Sequence, residues 1–490
     1  MSEAKPRKHG IALDLVESGP SGGIGAGAAQ KVKDVRTLPQ GVSSGMLYRD
    51  VIRIAWPSMS EMILTQLVSM VDLIMVGRLG PWAISSVGLA TQPKFLVMML
   101  FMAMNVGATA MVARCKGAGD SEMANKILRQ SLLLTFGCSI VSALGGFIFA
   151  EDLIRFMGAP DARSLAGGTV YFRVQCIGLV CLALTSTATA AFRGAGNSRI
   201  AMIYNMAANA INVIFNYLLI YGNFGFPRLE VMGASLATII GQFFAFVFAI
   251  AALLKGDYIK LRLKDGFLPD REAMHSIVKI GLPALAEQAI MRVGMITYTK
   301  IVTSLGTVLY ATHMACMNIQ AMSFMIGQAL AVSATALVGQ SLGKRRPDMA
   351  QFYASRTRRV GLAVSLILAF IFIVFGRDII ALYAGDNPES REIIDLGGQI
   401  MRMVALMLPF QSSQFILAGA IRGAGDTRSI AAITFITVLL IRPGFSAITV
   451  TMLGWGLWGA WIALVLDQVI RSFLVLVRYN SGKWKTAIKA

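Results

Sequence analysis

The sequence predicts an all-α integral membrane protein, with twelve transmembrane helices in two six-helix repeats (lobes) related by a pseudo-twofold axis along the membrane normal. Three observations carry this expectation. Hydrophobic residues make up 56% of the 490-residue chain and charged residues only 14%, against roughly 25% charged in soluble domains. The polar residues fall between apolar runs of about 20, the length that crosses ~30 Å of hydrocarbon. The heptapeptides Arg193-Gly-Ala-Gly-Asn-Ser-Arg199 and Arg422-Gly-Ala-Gly-Asp-Thr-Arg428 lie 229 positions apart, each ending one apolar run and opening another.

The duplication extends beyond the heptapeptides. Pro57-Ser-Met-Ser-Glu61 matches Pro283-Ala-Leu-Ala-Glu287 at an offset of 226, as do Ala108-Thr-Ala110 with Ala334-Thr-Ala336 and Gly117 with Gly343. Gly233-Ala234 with Ala237 and Gln242 matches Gly459-Ala460 with Ala463 and Gln468 at that same offset of 226. The three-residue displacement of the heptapeptides is what one short loop insertion would produce. Register and order kept over such a length indicate an internal repeat.

Residues 1–46 are polar and rich in Gly and Ser, a composition that cannot bury a core and is expected to form a disordered cytoplasmic tail. No apolar stretch opens the chain, so no cleavable secretory signal is expected. The expected spans are 50–77, 83–111, 126–149, 167–192, 200–222, 231–254, 274–303, 307–338, 358–376, 394–421, 429–452 and 456–478. They divide the chain into a first lobe at 47–255, a cytoplasmic linker at 256–273, and a second lobe with a short cytoplasmic tail at 274–490.

Basic residues crowd the loops after even-numbered spans (Arg114, Lys116, Arg193, Arg199, Lys344, Arg345, Arg346, Arg422 and Arg428 among them), whereas the odd-numbered loops are sparser and more acidic. By the positive-inside rule both termini are cytoplasmic. Six spans is an even number, so both repeats enter from the same side, the parallel-repeat arrangement of transporters. The net charge of +19 is accounted for by these loops, and no nucleic-acid partner is expected. Arg193, Gly194 and Gly196, with Arg422, Gly423 and Gly425, are structural turns in which Gly permits the tight bend and Arg suits an anionic lipid surface. The five cysteines lack CxxC spacing and the three histidines are scattered. Neither set offers a metal site, and the cysteines are expected to pack as small residues.

Polar groups inside the spans need a reason, since a central Asp is unfavourable by at least about 2.5 kcal/mol. Asp72 lies in the outer part of span 1, and its counterpart at offset 226 is Tyr298. Asn205, Asn209, Asn212 and Asn216 step by 4, 3 and 4 residues along span 5, which places them on one helical face. Shifted by 229 they become Thr434, Val438, Ile441 and Phe445, and Thr238 in span 6 becomes Leu464 at offset 226. A polar pocket confined to the first repeat is expected, and a carboxylate with amide oxygens suits a small hard cation or a proton. Glu61 and Glu287, preserved by the repeat, are candidate pocket or gating residues. Asn209 is another, with an interhelical bond as the plainer alternative. Ion pairing is expected among Arg292, Lys300, Arg442 and Asp467.

These features together resemble the multidrug and toxic compound extrusion transporters over nearly the whole length after the tail. The carrying motifs are the paired Arg-Gly-Ala-Gly turns, Val-Asp-Leu-Ile-Met-Val-Gly in span 1, Asn-Val-Ile-Phe-Asn in span 5 and Gly-Ala-Ser-Leu-Ala-Thr in span 6. The resemblance implies a V-shaped pair of lobes in the cell (inner or plasma) membrane. It also implies export of organic cations or drugs by antiport with Na⁺ or H⁺, through a rocking-bundle cycle. The family's first-lobe cation site falls on Asp72, Asn212, Asn216 and Thr238. Some relatives have an acid where Asn216 stands, so this site has one fewer titratable group. One branch also uses acids in spans 7 and 10, where this chain has Met291 and Gln411; Gln411 is a further pocket candidate. No cofactor beyond the coupling ion, no metal beyond a possible Na⁺, and a monomer are expected. The alternative activity is flipping of a lipid-linked saccharide or other amphipathic lipid, which would favour basic residues in the cavity. An enzyme is not expected, because no paired-Asp metal motif or nucleophile constellation is present. An ATP-driven pump is not expected either, because Gly339-Gln-Ser-Leu-Gly343-Lys344 fails the phosphate-loop spacing.

Overall fold

The computed structural model describes residues 38–39, 41–158, 161–262, 266–381 and 390–487, and no β-strand occurs among them. The first lobe contains α1 (Ser44–Gly77), α2 (Pro81–Ala118), α3 (Ser121–Ile148), the short α4 (Ala150–Phe156), α5 (Ala162–Gly194), α6 (Ser198–Tyr221) and α7 (Glu230–Lys255). The second contains α8 (Arg271–Thr303), α9 (Thr307–Gly343), α10 (Pro347–Ala381) and α11 (Ser390–Gly423). Its fifth span, Thr427–Met452, is built from α12 (Thr427–Thr434), α13 (Arg442–Ala447) and two π-helical stretches, and α14 (Gly456–Asn480) is its sixth.

Eleven of the described helices are long and apolar enough to cross a membrane. The twelfth, α8, carries Lys279, Glu287, Arg292 and Lys300 along its length. Helix starts follow from local chemistry. Asp120, Asp161 and Asp270 accept from the backbone N–H three residues on, at 2.7–2.8 Å, which satisfies one of the orphan donors of the first turn. Of the expected tail at 1–46, residues 1–37 and 40 lie outside the described residues. The remainder corrects that boundary: α1 already begins at Ser44, capped by Ser43, and Val42 is buried with Leu47. The linker is not loose where it is described. Lys260 N–H donates to Asn125 Oδ1 at 2.8 Å and Leu261 N–H to Leu253 O at 2.9 Å, so it is bound to the first lobe.

The two heptapeptides fold alike. Gly196 and Gly425 have φ of +81° and +86°, the left-handed region that Gly enters without a Cβ clash. A Cβ on Gly194 would lie 2.6 Å from Thr109 O, and one on Gly423 2.3 Å from Thr335 O. These are the same contact in each repeat. Arg193 and Arg422 depart from the expected role at an anionic lipid surface. Each is mostly buried in an ion pair within its own lobe, and only the second arginines, Arg199 and Arg428, stand exposed.

At the end bearing these turns the lobes close on each other. A Cβ on Gly117 would stand 1.9 Å from Gln340 O, and one on Gly343 2.0 Å from Arg114 O, so α2 and α9 touch through bare backbone on both sides of the pseudo-twofold axis. Two helices cross between the lobes. The first turns of α1 (Leu47, Val51, Ile54) sit in the second lobe's core, and those of α8 (Ala273, Ile277) sit in the first lobe's. Beyond Pro57 and Pro283, each helix returns to its own lobe. Towards the opposite end Leu67, Met70, Leu73 and Ile74 of α1, with Val293 and Ile296 of α8, are exposed.

The π-helical stretches Phe435–Ile441 and Ile448–Met452 change the register between the repeats. A π turn takes one extra residue into a helix. Before the first stretch the offset is 229; after it the offset is 230. Leu229 N–H donates to Leu219 O at 2.9 Å, and Trp455 N–H to Thr449 O at 2.9 Å; Thr449 lies 230 beyond Leu219. Buried positions 212, 216, 219 and 220 reappear at 442, 446, 449 and 450. The counterparts of Asn212 and Asn216 are therefore Arg442 and Ser446. This corrects the alignment that paired them with Ile441 and Phe445.

Candidate functional site

A seam of polar side chains joins α1 to α6. Asn205 Nδ2 donates to Glu61 Oε1 at 2.7 Å, Asn209 Nδ2 to Thr65 Oγ1 at 3.1 Å, and Asn216 Nδ2 to Asp72 Oδ1 at 2.5 Å. All three pairs are separated by 144 residues, as two parallel helices in constant register require. The 4-3-4 spacing of the asparagines keeps them on the face towards α1, where Glu61, Thr65 and Asp72 meet three of the four and Val68 stands opposite Asn212.

Asp72 is half-buried at the end of this seam farthest from the heptapeptide turns. The Asn212 amide is assigned from its neighbours: with its nitrogen towards Asp72 it can donate to both carboxylate oxygens at 3.2 Å while its oxygen accepts from Thr238 N–H at 3.2 Å, an orientation chosen by the hydrogen-bond network. Thr238 Oγ1 donates back to Ala234 O at 2.9 Å, which commits its proton and leaves the oxygen able only to accept. Asn216 is buried, and its Oδ1 has no hydrogen-bond partner. An orphaned amide oxygen in a buried site calls for an explanation. The structure thus brings Asp72, Asn212, Asn216 and Thr238 together.

One group that sequence reasoning missed acts on this cluster. Lys94 on α2 donates to Gln175 Oε1 at 2.8 Å, and its charge acts on Asp72. Gln175 donates in turn to Ser235 Oγ at 3.2 Å. A lysine within a long apolar run was itself the available signal. Arg292 of α8 places its guanidinium 5.0 Å from the Phe95 ring of α2, a cation–π contact between the lobes.

The repeat-preserved acids pair with the repeat-preserved arginines. Arg193 Nη2 lies 2.9 Å from Glu61 Oε1, and Arg422 holds both oxygens of Glu287, through Nε at 3.3 Å and through Nη2. The difference is at Glu61 Oε2, which is buried without a partner.

At the equivalent place in the second lobe the chemistry is reversed. Tyr298 stands where Asp72 would, and its hydroxyl donates to Ala460 O at 3.0 Å. Arg442, at the Asn212 position, donates to Asp467 Oδ2 through Nε at 3.1 Å and Nη2 at 2.5 Å. Arg471 Nη2 donates to both Asp467 oxygens at 2.7 Å. Of the expected ion pairs, Arg442 with Asp467 forms, while Arg292 takes an aromatic ring.

A sequence profile of the MatE family matches residues 57–218 and 283–448. The chain belongs to the MatE family. It is 28% identical over 439 residues to the "Probable multidrug resistance protein NorM" of Thermotoga maritima, covering 89% of this chain and 93% of that one. It is 25% identical to the multidrug resistance protein PmpM of Pseudomonas aeruginosa over 461 residues, covering 90% and 93% of the two chains. The fold matches a solved MOP superfamily transporter from Pyrococcus furiosus with a TM-score of 0.83 at 21% identity, covering 90% of this chain and 96% of that one. A solved MATE in complex with MaL6 matches at a TM-score of 0.82 and 22% identity, over 89% and 97% of the two chains.

Two further positions of this MatE chain are placed by the structure. Met291 Sδ receives Arg471 Nη1 at 3.6 Å. Gln411 lines a small cavity with Ser323, Gly361, Ser412 and Phe415, in the other lobe from Asp72. Neither position supplies an acid.

Proposed function

We propose that this chain is a secondary active exporter of organic cations or drugs, driven by inward movement of Na⁺ or H⁺ through the first lobe. It works as a monomer in the inner or plasma membrane with both termini cytoplasmic. The observation that supports this most is the Asp72 cluster, a carboxylate, two amides and a hydroxyl with one amide oxygen unsatisfied. Hard cations favour such oxygens. If the Asn212 amide turned over, its oxygen would face the Asp72 carboxylate, which is favourable only with a cation or proton between them. Asn216 Oδ1 and Thr238 Oγ1 would complete the oxygen set.

In this reading the heptapeptide end is cytoplasmic and shut, and the Asp72 end is open to the outside. A cation arriving at Asp72 favours the form that releases cargo. It leaves along the seam by way of Thr65, Asn209, Asn205 and the unengaged oxygen of Glu61. Coupling requires the ion to bind the two forms with different affinity. Lys94 offsets the Asp72 charge once the ion has gone. Membership of the MatE family and the names of the relatives support drugs as cargo.

The test is efflux of a fluorescent organic cation from proteoliposomes under separately imposed sodium and proton gradients. One gradient should drive export by the native chain, and neither should do so with Asp72→Asn. Equal gradient-driven export by the variant would remove Asp72 from the mechanism.

A further inference from the structure

We infer that the second lobe carries its own cation where the first lobe exchanges one: the Arg442 guanidinium, fixed on Asp467, is a tethered cation that closes the second lobe to ion exchange. The inference rests on the Asp72 reading for its comparison and goes beyond it by assigning the other lobe.

Four observations converge. The π turn at Phe435–Ile441 rotates Arg442 into the position of Asn212. Had the helix stayed regular, Ile441 would face inward and Arg442 would not. The acid comes from the equivalent neighbouring helix: a Cβ on Gly241 of α7 would lie 3.1 Å from Asn212 Cβ, and its counterpart at offset 226 is Asp467 on α14, which holds Arg442. The guanidinium sits 5.9 Å from the ring of Tyr298, the counterpart of Asp72. Ser446, at the Asn216 position, likewise has a buried and unpartnered oxygen.

The carboxylate is also enclosed by two arginines. Asp467 is 0% exposed, and its two oxygens accept four hydrogen bonds from Arg442 and Arg471. Arg471 is held from behind by Thr437 Oγ1 at 3.1 Å. Oδ2 accepts three of these bonds and Oδ1 one, and with two guanidinium groups around one carboxylate the cluster's net positive charge repels a mobile ion. Arg442 therefore determines specificity through its charge: it confines ion dependence to the first lobe.

The test removes the tethered cation and offers a free one of the same chemistry. Purified Arg442→Ala in detergent should unfold at a lower temperature than the native chain, and low-millimolar guanidinium chloride should raise that midpoint saturably relative to equal choline chloride. The native chain and the double variant Arg442→Ala/Asp467→Asn should not respond. An Arg442→Ala protein indifferent to guanidinium, or a response that survives Asp467→Asn, would overturn the inference. If Arg442→Ala cannot be purified, Arg442→Lys and Arg442→Gln decide. Lys should retain gradient-driven export and Gln should lose it, and equal loss in both would refute a role through charge. The guanidinium response does not involve Asp72, so its failure leaves the first-lobe reading standing, and the converse also holds.

Discussion

The two lobes share a backbone plan and differ in how each handles a buried carboxylate. In the first, Asp72 meets neutral amides and a distant lysine; in the second, Asp467 is enclosed by two guanidinium groups. A carboxylate among amides can gain and lose a cation, whereas one held by two arginines has its charge compensated permanently. Duplication supplied one scaffold twice, and a one-residue π insertion was enough to turn a different side chain into the equivalent place.

The largest contrast is expected in stability. Asp467→Asn leaves two buried guanidinium groups without their counter-charge and should destabilise by about 3–5 kcal/mol, the usual result of removing one partner of a buried pair. Asp72→Asn removes a charge that has only neutral direct partners and should leave the unfolding midpoint near the native value. Thermal unfolding of the two variants side by side checks this.

The closed end should respond symmetrically instead. Gly117→Ala and Gly343→Ala each drive a Cβ into a facing carbonyl, and backbone cannot give way as a flexible side chain can. Both should part α2 from α9. A cysteine placed at Ala113, which is buried, on a background lacking the native cysteines should become reactive to maleimide in either variant and stay protected without them. Protection in both would show that the approach is not close.

A smaller difference is expected at the ion pairs. Glu287→Gln should destabilise by about 1–3 kcal/mol, and Glu61→Gln by less, because one Glu61 oxygen is unengaged in the folded lobe. The smallest contrast concerns helix starts. Asp426 accepts from Ser429 N–H, whereas Asn197 makes no side-chain cap. Asp426→Ala should cost about 1 kcal/mol through the cap, more with its Arg478 partner lost, while Asn197→Ala should be close to neutral. Denaturation of the paired variants measures both.

Much of this was legible in the sequence because membrane helices are regular. Apolar runs located the spans, and the 4-3-4 asparagine spacing identified the face that meets Asp72. What stayed hidden depended on a departure from regularity. A constant offset of 229 assigned Ile441 and Phe445 to the site, and a single π turn replaced them with Arg442 and Ser446, a shift that no side-chain pattern announces. The Glu61–Arg193 and Glu287–Arg422 pairs were present as four residues preserved by the repeat, but nothing in their spacing along the chain said that they meet. Lys94 is a single charge in an apolar run, and Arg471 shares its run with Asp467. Gln175, which Lys94 meets, and Thr437, which holds Arg471, come from helices whose packing only the fold supplies, whereas Asp467 lies one turn before Arg471 on the same helix.

The central claim, one exchangeable cation site in a protein with two copies of the scaffold, is tested most directly by equilibrium binding of the coupling ion to purified protein. The native chain should bind one ion per molecule, and Asp72→Asn none. Two ions bound by the native chain, or one still bound after Asp72→Asn, would contradict it.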